Sequence, residues 1–166
     1  MENSGSIWIG LATPEDIQAI LAVQEENQPE HGGLLSVRMS KEWFENALSE
    51  NSIIVARDQG LAIGYIVSTS IAAQAHIPIV ATMLRACPSK DAYIHGPVCV
   101  ASSHRNRGLA KALFREQCKH RHAQKALTFI RQDNEISRRA HASMGMREIA
   151  EFDHNKVRYI ALEFKN

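Results

Sequence analysis

The stretch VCVASSHRNRGLAKALF, residues 98–114, joins a short apolar run to an amphipathic helix through basic side chains and a glycine. A helix N-terminus presents unpaired backbone N–H groups and a partial positive charge. Gly108 would let a ligand approach those groups without a Cβ in the way. The cationic side chains close to this glycine are His104, Arg105, Arg107 and Lys111. Such a junction suits a diphosphate better than a carboxylate, so it predicts a phosphate-binding site.

Two common phosphate-binding motifs are missing from the junction. The sequence has no GxxxxGK[ST], so it lacks the lysine and hydroxyl of a mononucleotide-binding loop, and it has no GxGxxG. Kinase and dinucleotide-binding interpretations are therefore weakened. An isolated basic turn before a helix is usually an ordinary solvated turn. Whether this turn binds phosphate must therefore be judged from the helices and strands around it.

The elements that position this junction follow alternating helix and strand patterns. Helices are predicted after Thr13, from Ser40, from the junction to about His122, and from Asn134 to a stop at Gly145. Strands are predicted at SIWIGLA, SIIVARD, LAIGYIVSTS, AYIHGPVCVAS, ALTFIR, MREIAEF and KVRYIALEF, with the second and third forming a hairpin. The Gly-Pro pair inside AYIHGPVCVAS predicts a bulge or a parting from a neighbour, since proline cannot donate to a ladder. Residues 71–91 support no prediction.

The pattern Val-x-Val-x-x-x-His-Arg-Asn-Arg-Gly-Leu-Ala, residues 98–110, resembles the coenzyme A motif of the GNAT superfamily of N-acetyltransferases. That motif has the core Arg/Gln-x-x-Gly-x-Gly/Ala, which Arg105, Gly108 and Ala110 fill. The order of elements is similar along nearly the whole chain, and NEISRRAHASMGM resembles the family's Asn-led helix. The resemblance implies an α/β (α+β) fold: a mixed, mostly antiparallel central sheet, about four flanking helices and a splayed motif strand.

The resemblance also implies acetyl-CoA as the cosubstrate and direct transfer without a metal. Backbone amides of residues 105–110 are expected to cradle the pyrophosphate, and residues 98–100 to pair with the pantetheine arm. Asn134 is expected to contact the cofactor near its pantetheine end. The implied cofactor-binding residues are Val98, Val100, Arg105, Asn106, Arg107, Gly108, Leu109, Ala110, Lys111 and Asn134.

Three positions depart from the family pattern, and one of them bears on the catalytic mechanism. Ser102 stands where many members have proline, and Met146 replaces a common phenylalanine. His141 occupies the position where a tyrosine often protonates the departing thiolate. His141 lies seven residues after Asn134, so both project from nearly the same helix face. We predict His141 as the proton donor, with a bystander at an exposed helix end as the alternative.

A base is also needed, because only a neutral amine has a lone pair to attack the thioester. Members of the family often keep a glutamate on the motif strand, but residues 93–100 contain no acid, which leaves His95 as the candidate there. The alternative for His95 is a histidine packed in the core or bonded to backbone. Other candidates follow the first predicted helix, where solvated loop charge is the alternative: Glu26, Glu30 and His31.

Composition excludes several classes of protein. The chain has 166 residues, 45% hydrophobic content and no linker-like stretch, which predicts a single domain over residues 1–166. A net charge of +1 gives no overall field for nucleic acid or a membrane surface. The cysteines are odd in number, and no apolar signal segment or membrane-length run is present, which predicts a cytoplasmic protein.

The cysteines suggest two further readings that the sequence disfavours. Cys118 and His122 have the spacing of metal ligands on a helix, but no second ligand pair is evident. Cys99 on the motif strand could carry an acetyl group, but a buried strand cysteine without a base is usually inert. No metal site and no acetyl-cysteine are therefore expected.

The sequence thus predicts an N-acetyltransferase that moves the acetyl group of acetyl-CoA to the primary amine of a small molecule in a ternary complex. The apolar insertion IAAQAHIPIVATMLRAC and the absence of an acidic run favour a small, uncharged or zwitterionic acceptor, although that insertion could instead form a homodimer surface. One alternative is a catalytically silent acyl-CoA-binding regulatory module. Another is a regulatory protein that binds a different anion at the junction.

Overall fold

A computed structural model of the chain describes residues 6–121 and 124–165. These residues form a mixed α/β fold with one seven-stranded sheet and six α-helices. The strands are β1 (Trp8–Leu11), β2 (Ile53–Asp58), β3 (Leu61–Ser70), β4 (Ala92–Val100), β5 (Lys125–Arg131), β6 (Arg147–His154) and β7 (Val157–Lys165). The helices are α1 (Ile17–Glu26), α2 (Lys41–Ser49), α3 (Ile71–Gln74), α4 (Pro78–Ala86), α5 (Leu109–His120) and α6 (Glu135–Ser143).

The sheet has the strand order β1-β2-β3-β4-β5-β7-β6. β4 and β5 are parallel, whereas β1 with β2, β2 with β3, β5 with β7 and β6 with β7 are antiparallel. The predicted mixed and mostly antiparallel sheet is confirmed. The predicted hairpin is β2 and β3, which are joined through Gln59 and Gly60.

Local capping explains where several helices begin. Ser40 precedes α2, and its Oγ accepts a hydrogen bond from the backbone N–H of Trp43 at 3.1 Å. A 3₁₀ turn, Pro14–Asp16, precedes α1, and the Asp16 carboxylate accepts from the backbone N–H of Thr13 at 2.7 Å. Both starts lie where the sequence predicts them.

Residues 71–91, whose sequence pattern supports no prediction, contain α3 and α4. Pro78 is the first residue of α4, where its missing N–H costs no helical hydrogen bond. Ile79, Val80 and Met83 are buried along one face of α4. The expectation of about four helices is therefore corrected to six within the described residues.

The motif strand β4 parts from its neighbour as predicted. β4 pairs with β5 from Ala92 opposite Lys125 to Ile94 opposite Leu127, whereas β5 continues its pairing with β7 as far as Arg131. Gly96 has a φ of 114°, in the left-handed region that favours glycine. The predicted irregularity thus lies just beyond the last paired residues.

The chain divides into two compact units. One comprises the described residues up to Val67 together with Pro97–Gln117. The other comprises Ser68–Gly96 together with the described residues from Cys118 onward. The single domain over residues 1–166 stays a prediction. Among the described residues, no helix has both the length and the apolar character needed to cross a membrane.

Candidate active site

In the first unit, the start of α5 is held in place by the core. Leu109, Leu113 and Phe114 are all buried on one face of this helix. The carbonyl of Gly108 accepts from the N–H of Ala112 at 3.1 Å, which closes the first helical turn. The N–H groups of the first turn of an α-helix have no partner within that helix, so they remain donors for a ligand.

The loop before α5 has the backbone geometry of an anion cradle. Asn106 and Gly108 both adopt left-handed conformations, with φ of 62° and 72°. Left-handed residues in a turn can point successive N–H groups toward one concave side that binds anions. A Cβ built on Gly108 would meet no atom beyond its chain neighbours within 4 Å, so this side of the glycine is open. The loop therefore fits the pyrophosphate that the motif implies.

The cationic side chains of the loop divide into two pairs. His104 Nε2 lies 3.1 Å from Asp58 Oδ2, and Arg105 Nη2 donates to Asn27 Oδ1 at 3.1 Å. Arg107 and Lys111 make no hydrogen bond or ion pair within the described residues. The predicted cluster is therefore split, because His104 and Arg105 tie the loop to the protein and leave Arg107 and Lys111 for an anion.

The end of β4 presents alternating side chains before this loop. Val98 and Val100 are half-buried, and Cys99 between them is buried with 3% of its surface exposed. Burial raises the pKa of Cys99 to about 12, so its thiol stays protonated at neutral pH. Cys99 is therefore a poor nucleophile, which supports direct transfer over an acetyl-cysteine.

In the second unit, Asn134 forms the start of α6. Its Oδ1 accepts from the backbone N–H of Ser137 at 3.1 Å, as an N-cap does. Gly145 ends the helix region with a φ of 91°. The side-chain oxygen of Asn134 is thus used within the helix, and its Nδ2 group is the part that could donate to a cofactor.

His141 and His95, which are 46 residues apart in the sequence, contact each other in the second unit. Their Nε2 atoms are 3.2 Å apart, and the rings are nearly perpendicular with centroids 5.2 Å apart. His141 is 4% exposed and His95 is 1% exposed. The alternative of an exposed His141 at a helix end is therefore wrong. No local sequence signal indicates this pairing, because it joins a strand residue to a helix residue.

A carbonyl on α6 sets the direction of hydrogen bonding in the pair. His141 Nδ1 lies 2.8 Å from the backbone oxygen of Ser137, which can only accept, so Nδ1 carries a proton. In neutral His141 the Nε2 atom is then an acceptor, and His95 Nε2 must donate to it. Burial lowers the pKa of His141, opposed in part by the Ser137 hydrogen bond, which favours this neutral form.

The remaining sequence candidates lie at the end of α1 and in the loop after it. Glu26 Oε2 accepts from the hydroxyl of Ser102 at 2.7 Å. Glu30 lies 3.5 Å from Arg38, and His31 lies 3.4 Å from Glu25, with more than half of each side chain exposed. The environment of Glu30 and His31 matches their alternative reading as solvated loop charge.

No group of three or more His, Cys, Asp or Glu side chains that could bind a metal ion occurs in residues 6–121 and 124–165. His122, the suggested metal partner of Cys118, lies outside the described residues. Burial raises the pKa of the Cys118 thiol, and this disfavours the thiolate that metal binding requires.

Comparison with known proteins finds similarity to acetyltransferases. The model of the acetyltransferase (GNAT) family matches residues 18–146. No curated protein matches the chain at a significant level. Solved structures match this chain over nearly their whole length.

A GNAT-family acetyltransferase from Bacillus cereus has a TM-score of 0.73 at 13% identity, covering 97% of this chain and 98% of its own. A ribosomal-protein-alanine N-acetyltransferase from Brucella melitensis has a TM-score of 0.72 at 19% identity, covering 96% and 99%. The protein yncA from Salmonella typhimurium, solved with its cofactor acetyl-CoA, has a TM-score of 0.71 at 16% identity, covering 97% and 94%. At these identities the likeness shows the fold, and one protein with this fold holds acetyl-CoA.

Proposed function

This chain belongs to the acetyltransferase (GNAT) family, and we propose that it transfers the acetyl group of acetyl-CoA directly to the primary amine of a small molecule in a ternary complex. Family membership makes it an acyltransferase, and the structural neighbours are acetyltransferases as well. The observation that carries the proposal is the loop of residues 105–110, whose left-handed Asn106 and Gly108 shape an anion cradle at the start of α5.

The cradle would hold the pyrophosphate of acetyl-CoA through backbone N–H groups of residues 105–110. The side chains of Arg107 and Lys111 are the cations left to pair with phosphate oxygens. The backbone of Val98 and Val100 is the segment proposed for the pantetheine arm, and Asn134 Nδ2 is proposed as a further donor to it. Bound acetyl-CoA supplies the thioester that the amine attacks.

Acetyl transfer requires two proton movements that this chain must provide. The neutral amine attacks the thioester carbonyl, the C–S bond breaks, the new amide nitrogen loses a proton, and the thiolate gains one. Backbone N–H groups of the splayed strand β4 are suited to stabilise the oxygen that becomes negative during attack. The amine nitrogen loses one proton and the thiolate sulfur gains one, so one proton passes through the site in each turnover.

We assign this proton to the His95–His141 pair. His95 is the proposed base, and its Nε2 hydrogen bond to His141 gives the proton a direct route between the two rings. His141 in its neutral form holds its proton on Nδ1 against Ser137 and directs Nε2 at His95, so it must gain a proton on Nε2, and its hydrogen bond to His95 must break, before it can protonate the thiolate. The lowered pKa of His141 makes that second proton easy to release.

The proposed acceptor is a small amine without a strong positive charge. The lack of an acidic run in the sequence supports this class. The name of the Brucella neighbour describes an acetyltransferase that acts on a protein, so peptide acceptors are the natural contrast in an assay.

The experiment follows thiol release from acetyl-CoA in the presence of single amines, amino acids, polyamines and lysine-rich peptides. The proposal predicts release that depends on the acceptor and is greatest with a small uncharged or zwitterionic amine. Efficient acetylation of lysine-rich peptides, with small amines inert, would overturn the acceptor class. Binding of acetyl-CoA without release for any acceptor would instead indicate a silent acyl-CoA-binding module.

A further inference from the structure

The C-terminal end of α1 is hydrogen-bonded to the loop that precedes α5. Glu26 Oε2 accepts from both the backbone N–H and the hydroxyl of Ser102, at 3.1 Å and 2.7 Å. One carboxylate oxygen therefore receives two hydrogen bonds from one residue. A carboxylate that accepts hydrogen bonds binds its donors more strongly than a neutral acceptor does.

The next residue, Asn27, makes a second set of contacts to the same loop. Its Oδ1 accepts from Arg105 Nη2 at 3.1 Å, and its Nδ2 donates to the carbonyl of Val100 at 3.3 Å. The same Nδ2 also donates to the carbonyl of Val23 at 2.8 Å, which fixes the asparagine to its own helix. Arg105 Nε lies 3.4 Å from the Val100 carbonyl, so Asn27, Arg105 and Val100 form a closed set.

These contacts explain why serine is acceptable at position 102. Ser102 is the first residue of a short 3₁₀ turn, a position where proline is well tolerated. Ala101 has φ −55° and ψ 140°, which is also compatible with a following proline. A proline would stiffen the backbone here but could make neither hydrogen bond to Glu26. In this chain the hydrogen bonds replace the stiffness that a proline would give.

We propose that Glu26 and Asn27 are positioning residues that hold the loop of residues 101–108 in the shape that binds acetyl-CoA. We call this set of contacts, made by Glu26 and Asn27 to Ser102, Arg105 and Val100, the loop clip. The inference rests on the proposed function for the identity of the ligand. The clip itself is a property of the protein without ligand, so it can be tested separately.

The first measurement is hydrogen exchange of the His104 backbone amide, which donates to the carbonyl of Ala101 at 2.9 Å, in the ligand-free protein. Glu26→Ala is expected to speed this exchange about tenfold, because the loop loses both Ser102 hydrogen bonds. The same substitution in a Ser102→Pro background should change the exchange by less than about twofold, since no hydrogen bond to Glu26 remains to be lost. Glu25→Ala is the matched control, because Glu25 pairs with His31 and Arg38 instead of the loop.

The second measurement is the dissociation constant of acetyl-CoA, together with kcat at saturating acetyl-CoA. Glu26→Ala should raise the dissociation constant about fivefold in the natural background and leave it nearly unchanged in the Ser102→Pro background. Asn27→Ala should raise it in both backgrounds, because the contacts of Asn27 do not involve Ser102. In all these variants kcat should stay within about twofold, since the clip touches no reacting atom.

Equal effects of Glu26→Ala in the two backgrounds, or unchanged exchange of the His104 amide, would overturn the loop clip. A natural protein that does not bind acetyl-CoA would instead refute the proposed function. The exchange measurement would still decide whether the clip holds the loop. A general loss of stability caused by Glu26→Ala cannot produce the expected result. It would speed exchange and weaken acetyl-CoA binding in the Ser102→Pro background as well.

Discussion

At the scale of single residues, the buried histidine pair determines how a proton can be stored. Ser137 fixes the proton of His141 on Nδ1, so the neutral pair has one orientation, with His95 donating and His141 accepting. The two rings are therefore joined by one hydrogen bond whose direction Ser137 sets.

The role of His141 can be tested by comparing two aromatic replacements at saturating acetyl-CoA. His141→Phe should lower kcat about tenfold or more, because no proton donor remains at this position. His141→Tyr should restore much of the loss, since a phenol can also protonate a thiolate. His120→Phe is the control, because His120 is exposed at the end of α5. Equal turnover in all these proteins would make His141 a bystander.

His141 should also make stability depend on pH. Its pKa is lowered in the folded protein from the ordinary value of 6.5, so below that value the unfolded chain binds more protons than the folded one. The stabilisation is complete above about pH 6.5 and is lost as the pH falls. Between about pH 7 and pH 5, the unfolding free energy of the natural protein should fall more steeply than that of His141→Gln. Parallel curves from denaturant titrations would contradict this.

At the scale of elements, the insertion between β3 and β4 supports the irregular part of β4. Gln74 at the end of α3 is 3% exposed, and its Nε2 donates to Thr69 Oγ1 at 2.8 Å and to the carbonyl of Gly96 at 3.3 Å. Gly96 is the residue with a φ of 114°. A buried side-chain amide thus holds the backbone where β4 has left β5.

Gln74→Met should lower the unfolding free energy by about 1–3 kcal/mol, because methionine fills a similar volume but cannot donate to these two oxygens. The matched control is Gln18→Met on the exposed side of α1, which should change the unfolding free energy by no more than about 0.5 kcal/mol. Chemical denaturation of the three proteins makes the comparison. A Gln74→Met protein as stable as the control would show that the amide contributes nothing to holding the irregular part of β4.

Local signals predicted most elements, because their causes lie within a few residues. Ser40 begins α2 as an N-cap and Gly145 follows α6 in a left-handed conformation, as their residue types indicate. The helices of residues 71–91 were not predicted, because Pro78 interrupts an apolar run that lacks a clear period. Proline at the first helical position and proline between segments look alike in sequence.

At the scale of the whole molecule, the family could be predicted because the coenzyme A motif occurs together with the Asn-led helix and the order of elements along nearly the whole chain. The motif of residues 98–110 carries its own backbone conformation, including the left-handed Gly108. The histidine pair and the loop clip could not be predicted, since both join residues that are far apart in the sequence. The homodimer, the cytoplasmic location and the single domain remain predictions.

The central claim is that the loop before α5 binds acetyl-CoA, and calorimetric titration of two glycine variants with acetyl-CoA tests it most directly. Gly108 and Gly60 have similar positive φ, 72° and 85°, and a Cβ on either would meet no other atom within 4 Å. Glutamate therefore adds the same charge and comparable backbone strain at both positions. Gly108→Glu should weaken binding roughly a hundredfold or more, because the carboxylate enters the anion cradle, while Gly60→Glu should bind within about twofold of the natural protein. Unchanged acetyl-CoA affinity in a folded Gly108→Glu protein would contradict the claim.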